Sequence, residues 1–224
     1  MGLRKSAVNL VIKGILDVLC KIDCREYVQA LSKNQPLIVI FNHINFLEVP
    51  ILITHSYPLN VTGLAKSETW NNPISSFLFN TYKAVPINRN GAFSRSFKKI
   101  HETLDKGVSM CVAPEGTRSK TGVLQKAKAG IVYLALEANV PILPVAHYGG
   151  ECIWDNLRRF RRTSLCFKAG RPFRVKYNGM PGKEERENIL CEMMGQMAGL
   201  LPEKMRGVYS DHVKSECKYL DFIS

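Results

Sequence analysis

Hydrophobic residues along this chain fall into short unbroken runs separated by longer mixed stretches. Leu37 to Phe41 (LIVIF) is wholly apolar and largely β-branched, the composition of a strand covered on both faces. Val108 to Ala113 has the same character, and Val61 to Ala65, Ala84 to Ile87, Ser164 to Lys168 and Phe173 to Tyr177 predict further strands. Val140 to Val145 reads as a strand despite Pro141 and Pro144, with an edge or a bulge as the simplest accommodation. Between these runs the patterning turns helical: from Pro50 to Pro58, Ile74 to Tyr82, Phe93 to Lys106 (ended by Gly107), Ala127 to Ala138 and Lys183 to Leu201. Alternating strands and helices predict an α/β fold, a largely parallel central sheet flanked by helices. Functional groups are then expected in loops beyond the strand ends. No linker, repeat or low-complexity tract interrupts the 224 residues, so residues 1–224 are read as a single domain.

The first 26 residues carry a separate signal. Ala7 to Cys20 is rich in Val, Leu and Ile, with apolar positions 8, 11, 12, 15, 16 and 19 at helical spacing and Lys5, Asn9, Lys13 and Asp17 mainly elsewhere. A spanning helix needs roughly 20 apolar residues, and Lys13 and Asp17 interrupt this one well before that length. No small-residue cleavage site follows an uninterrupted apolar stretch, which argues against a signal peptide. The expectation is an N-terminal amphipathic, membrane-associated helix within residues 1–26, with Arg4, Lys5 and Lys21 facing anionic headgroups. A helix docked on the protein's own core would satisfy the same spacing.

Charge adds a constraint on partners. The formal net charge is +12. Between Asn156 and Lys183 the basic residues are Arg158, Arg159, Arg161, Arg162, Lys168, Arg171, Arg174, Lys176 and Lys183, with no acidic residue among them. Such an excess attracts anionic lipid surfaces, phosphorylated cofactors or nucleic acid. Phe160, Phe167 and Phe173 are interleaved with it, but no zinc-finger spacing or aromatic RNA-binding signature is present, so no nucleic acid is expected. The seven cysteines are scattered and form no pair of metal-binding doublets, which implies no metal and a reducing, cytosol-facing environment.

Four segments carry candidate chemistry. In the first, Asn42-His43 follows a buried strand and Glu48 comes five residues after the histidine. A carboxylate folded back onto one imidazole nitrogen leaves the other free to take a hydroxyl proton. The second is Pro114-Glu115-Gly116-Thr117-Arg118, again directly after a buried strand. Its glycine permits close ligand approach, Glu115 and Thr117 can bond ligand hydroxyls, and Arg118 can fork onto a phosphate. The third is the short strand that ends in Arg89, and the fourth is Val140 to Val145.

Taken together and in this order, the four segments resemble the glycerolipid acyltransferase family, the group that contains bacterial 1-acylglycerol-3-phosphate acyltransferases. The resemblance runs from about Leu37 to Gly149, the motif-bearing core at 37–149, and extends to Ala65-Lys66-Ser67-Glu68. One position departs from the pattern: the family usually has aspartate where this chain has Glu48. The resemblance implies a general base, His43, oriented by Glu48, with Arg89, Arg118 and Lys66 on the acceptor's phosphate and Glu115, Gly116 and Thr117 around its glycerol. It implies acyl-CoA or acyl-ACP (acyl carrier protein) as co-substrate with no permanently bound cofactor. The acceptor would be a lysophospholipid, 1-acylglycerol-3-phosphate giving phosphatidic acid, or another lysolipid. The implied location is an anionic membrane surface on the cytoplasmic side, with the protein peripheral or monotopic. Two other classes stay open at this point. A hydrolase would use water as acceptor, although no Gly-x-Ser-x-Gly elbow is present. A basic protein that binds anionic lipid or nucleic acid without catalysis is the other.

Overall fold

The computed structural model describes residues 3–32, 35–87, 93–213 and 215–223, with backbone alone at 93–95. The chain opens with a helix, α1 (Leu3–Leu19), a short strand, β1 (Cys20–Asp23), and a helix, α2 (Arg25–Leu31). The α/β alternation then follows: β2 (Ile38–Phe41), α3 (Glu48–His55), β3 (Val61–Lys66), α4 (Pro73–Tyr82), β4 (Val85–Ile87), α5 (Phe93–Asp105), β5 (Ser109–Val112), α6 (Gly130–Ala138) and β6 (Ile142–Tyr148). The remainder is α7 (Ile153–Arg158), β7 (Thr163–Ala169), β8 (Phe173–Val175), α8 (Lys183–Gly199) and β9 (Leu220–Phe222).

Five strands in the order β6-β2-β5-β3-β4 run parallel, as the alternation predicts. Strand β7 adds to β6 in the antiparallel sense near its C-terminal end and carries β1 beside it, while β8 meets β6 at Ile142 and pairs with β9. Successive residues of a strand point to opposite faces. In β2, Ile38 and Ile40 therefore join the core beneath α6 and α8, while Val39 and Phe41 join the core beneath α1, α2 and α3. All four are at most 2% exposed, which is why the run carries no polar residue. Each such side chain contributes about 1.5–3 kcal/mol of burial.

The N-terminal expectation needs two corrections. The helix ends at Leu19, because Cys20–Asp23 pairs with Thr163–Cys166 in the sheet; residues 20–26 therefore belong to the sheet and to α2, not to an interface helix. Asn9, placed by spacing on the polar side, is 4% exposed and points inward. Its Nδ2 donates to the Thr54 carbonyl and its Oδ1 accepts from the Tyr82 hydroxyl. Val8, Ile12 and Leu16 pack with it against the core, and Asp17 accepts from His55 at 3.1 Å. The opposite face of α1, Leu3, Ala7, Leu10, Val11, Gly14, Ile15 and Val18, is exposed and apolar, with Arg4 as the exposed charge set among these positions. Among the described residues, no helix is long and apolar enough to cross a membrane.

Candidate active site

Because β6, β2, β5 and β3 are parallel, their C-terminal ends share one edge of the sheet, and the loops leaving them meet there. The loop after β2 begins with Asn42. Its side chain takes the place of a ladder rung beyond the strand end: Oδ1 accepts from the main-chain N–H of His147 at 2.8 Å and Nδ2 donates to the His147 carbonyl at 2.9 Å. The start of the loop is thereby clamped to β6. Asn45 closes it again, with Oδ1 accepting from the Leu47 N–H and Nδ2 donating to the Gly150 carbonyl.

Between these clamps the chain turns back so that Glu48, first residue of α3, faces His43. Glu48 Oε2 lies 3.2 Å from His43 Nδ1. The Glu48 side chain is 1% exposed and that of His43 is 24% exposed, so the imidazole opens to solvent while its carboxylate partner does not. Oε1 of Glu48 accepts the main-chain N–H groups of Ile44 (2.9 Å) and Asn45 (2.5 Å) and lies 3.1 Å from His147 Nε2. Burial alone would raise this carboxyl's pKa. The hydrogen bonds from His147, His43 and the Asn45 amide outweigh burial and hold it at about 2. A carboxylate fixed at Nδ1 directs the other nitrogen, Nε2, toward whatever enters from solvent. The glutamate found in place of aspartate is thus accommodated: its extra methylene carries the carboxylate far enough to be gripped on both oxygens.

The second segment is built differently from its reading in the sequence. Glu115 was expected to face a ligand's hydroxyls, but it is 2% exposed and both its oxygens are engaged by the protein. Oε1 accepts the main-chain N–H of His43 at 2.8 Å; Oε2 accepts the N–H of Gln125 at 3.0 Å and its side-chain amide at 3.2 Å. Burial pushes its pKa up, with the bonds from His43 and Gln125 opposing. Glu115 is a brace that ties the histidine's backbone to the loop after β5, and Ser119 adds to it by donating its N–H to the His43 carbonyl at 2.6 Å. Gly116, with φ +68°, allows the chain to turn sharply just after Glu115.

Thr117 and Arg118 follow on the surface, and Lys66 is exposed at the C-terminal end of β3. Among the described residues, neither Lys66 nor Arg118 forms a hydrogen bond or an ion pair, so both cations are open to an anion. Arg89, the third expected phosphate ligand, lies outside the described residues. No group of three or more His, Cys, Asp or Glu among the described residues could hold a metal ion, and the seven cysteines are free thiols.

The basic segment from 156 to 183 divides on folding. Arg162 donates to the carbonyls of Asp17 and Cys20, Lys168 pairs with Glu26, Arg174 bonds Asn139, and Arg171 lies over the Phe222 ring at 5.3 Å. Arg158, Arg159 and Arg161 stay exposed around Phe160, which is 99% exposed at φ +51°. Trp154 of α7 packs on Phe46 of the loop after β2, 5.5 Å between ring centroids, and both remain about half exposed.

Two residues of this network, Gln125 and His147, had no motif to mark them, and a third stood in one without a role of its own. Asn42 was visible only as the histidine's neighbour, while Gln125 and His147 were passed over. They are joined to His43 and Glu48 by strand pairing and loop return, and Asn42 and His147 stand 105 residues apart in sequence.

A family model described as Acyltransferase matches residues 21–148, more than half of the chain. A 1-acyl-sn-glycerol-3-phosphate acyltransferase of Cocos nucifera is 29% identical over 79% of this chain and 58% of its own length. One of Pseudomonas aeruginosa is 29% identical over 52% of this chain and 46% of its own. The chain thus spans less than two thirds of the length of these relatives. The crystal structure of the 1-acyl-sn-glycerophosphate acyltransferase PlsC from Thermotoga maritima superposes with a TM-score of 0.55 and 24% identity, covering 84% of this chain and 79% of that one, which shows a shared fold. With His43 and Glu48 paired at the strand edge inside the matched region, the chain belongs to the acyltransferase family.

Proposed function

We propose that this protein transfers a fatty acyl group from a thioester carrier, acyl-CoA or acyl-ACP, to the free hydroxyl of 1-acylglycerol-3-phosphate, giving phosphatidic acid. The observation that carries this reading is the partly exposed His43 imidazole held at 3.2 Å by a buried Glu48 carboxylate. His43 Nε2 takes the proton of the acceptor hydroxyl as its oxygen attacks the thioester carbonyl carbon. The tetrahedral adduct then collapses, the C–S bond breaks, and the departing thiolate receives that proton from the imidazolium. Glu48 stabilises the imidazolium through Nδ1, and no covalent acyl-enzyme is required because the lipid hydroxyl is itself the nucleophile. Arg118 and Lys66, open and cationic on the same edge, suit the acceptor's phosphate, with Arg89 assigned there by the sequence pattern. Thr117 and Gly116 lie beside Arg118 in the chain and suit the glycerol.

The same reading seats the protein on an anionic membrane surface, peripheral or monotopic, on the cytoplasmic side. Support comes from the apolar outer face of α1 with Arg4 near its start, from Ile74 and Phe77 of the neighbouring α4, and from Phe160 among Arg158, Arg159 and Arg161. Arg4 lies over the Phe77 ring at 4.8 Å and links the two helices.

The test is thiol release from acyl-CoA by the purified protein, with and without 1-acylglycerol-3-phosphate, beside His43→Ala. Release that needs both the acceptor and His43 is the expected result, with the variant slower on the order of 10²–10⁴-fold. Release without acceptor would make the protein a thioesterase and overturn the reading. A relative at 28% identity is named lyso-ornithine lipid O-acyltransferase. A lyso-ornithine lipid is therefore the competing acceptor to include.

A further inference from the structure

Glu48 stands between two histidines. One oxygen faces His43 Nδ1, and the other lies 3.1 Å from Nε2 of His147, which is 1% exposed on β6. His147 Nε2 also lies 2.8 Å from the Asn42 carbonyl oxygen. Both neighbours of this nitrogen are acceptors, so Nε2 carries the ring proton and donates it to the pair. Nδ1, on the other side of the ring, is buried and meets no hydrogen-bonding partner among the described residues. An orphaned buried polar atom is destabilising, because it gives up its bonds to water and gains none in return. An apolar residue stacked on Phe167 in its place would escape that cost; the imidazole instead keeps its ring 5.3 Å from Phe167 at 24° and its main chain clamped by Asn42. A cost retained at this position points to a use for the donor, and one of its two acceptors is the carboxylate of the proposed dyad.

We propose that His147 is a positioning residue for acyl transfer, holding Oε1 of Glu48 so that Oε2 is presented to His43. The proposal rests on the acyl-transfer reading above. With Ile44 and Asn45 donating to Oε1 and the His147 Nε2–H shared between Oε1 and the Asn42 carbonyl, the carboxylate has one rotational position, and its remaining oxygen is aimed at Nδ1. His147 never meets substrate. It acts through Glu48, in the way that outer hydrogen bonds hold a catalytic group within a fraction of an ångström of its working geometry. It also explains how glutamate serves at position 48. The longer side chain reaches the neighbouring strand and finds a donor there.

Two measurements on the full chain test this. Long-range proton–nitrogen spectra of the histidine side chains in the unaltered protein should show the Nε2–H tautomer at His147; an Nδ1–H tautomer overturns the proposal, whatever any variant does. The second is steady-state acyl transfer from acyl-CoA to 1-acylglycerol-3-phosphate by the parent, His147→Gln and His147→Leu, with thermal unfolding recorded for each. Glutamine places an amide N–H near the position of Nε2, whereas leucine fills the volume without a donor. His147→Leu should lower kcat on the order of 10- to 100-fold with both KM values within about twofold, and His147→Gln should recover most of the loss. Equal kcat for folded His147→Leu and the parent overturns the proposal while leaving acyl transfer standing. A parent without transfer removes both. If His147→Leu does not fold, a His147→Gln rate reduced as far as that of Glu48→Gln likewise overturns it, since the donor would then have been restored without effect.

Discussion

The main-chain N–H of His43 donates to Oε1 of Glu115 at 2.8 Å, which joins the loop after β2 to the loop after β5 at the candidate base. The contact assigns Glu115 a task distinct from that of its neighbour Arg118, three residues on and facing solvent. One holds the proposed base in place; the other is open to the proposed acceptor.

Kinetics should separate the two. Glu115→Gln leaves an acceptor for His43 but turns an amide NH2 toward the Gln125 donors, so a buried bond is lost at about 1–3 kcal/mol. The expected outcome is a lower kcat and a lower unfolding temperature, with KM for the phosphorylated acceptor unchanged. Arg118→Ala should do the reverse, raising that KM with little change in unfolding. A raised KM in Glu115→Gln would return Glu115 to the ligand-facing role.

Glu48 makes a prediction about acid. Its carboxyl is held at about 2 in the folded protein against 4.5 in its absence. A depressed pKa means the unfolded chain binds the proton more readily, so this stabilisation is complete above pH 4.5 and fades as pH falls toward 2. Unfolding free energies of the parent and Glu48→Gln, measured in urea, should therefore differ by a constant amount near neutrality. That difference should shrink by roughly 2 kcal/mol by pH 3. A difference that does not depend on pH contradicts the carboxylate network described here.

Leu10 and Val18 of α1 are 73% and 72% exposed, so charging them should leave the fold alone. Leu10→Glu and Val18→Glu are expected to alter stability by no more than about 0.5 kcal/mol. Their sedimentation with vesicles rich in anionic lipid should fall several-fold, as buried apolar area and surface charge complementarity are lost together. Retained binding in the double variant would sink the assignment of this face to lipid.

Glycines give a contrast in one experiment. A Cβ on Gly149, at φ +92°, would stand 2.2 Å from the Ser164 carbonyl oxygen, two residues beyond His147. Gly149→Ala should cost about 2 kcal/mol or more in stability, and should slow transfer as β6 and β7 part. Gly14 is helical with nothing within 4 Å of its Cβ, so Gly14→Ala should stabilise by about 0.5–1 kcal/mol. Thermal unfolding of the two variants checks both.

The strands that place the site were legible because they are covered on both faces and carry no polar residue, as in Leu37 to Phe41. The His43–Glu48 spacing was legible because both residues lie within one loop and its first helical turn. What escaped depends on direction and on distance along the chain. Nothing in Pro114 to Arg118 says that Glu115 points inward and Arg118 outward; that is decided by the turn at Gly116. His147 lies two residues beyond the strand read at Val140 to Val145 and belongs to no motif, and only the parallel pairing of β2 with β6 carries it to Glu48. Asn9 was misplaced because spacing ranks residues by polarity, whereas its amide finds partners in Thr54 and Tyr82 and is buried with them. Strand β1 is four residues long with two charges, too short and too polar for any periodic signal.

The proposed seating through the apolar outer face of α1 would also fix how concentration must be counted. A protein seated through Leu10, Val11 and Val18 meets its lipid acceptor in two dimensions and its thioester carrier in three. Diluting the acceptor with inert lipid at constant bulk amount then slows transfer, while adding more vesicles of the same composition does not. On the proposed reading, rate laws for this chain would be written in mole fraction for one substrate and in molarity for the other.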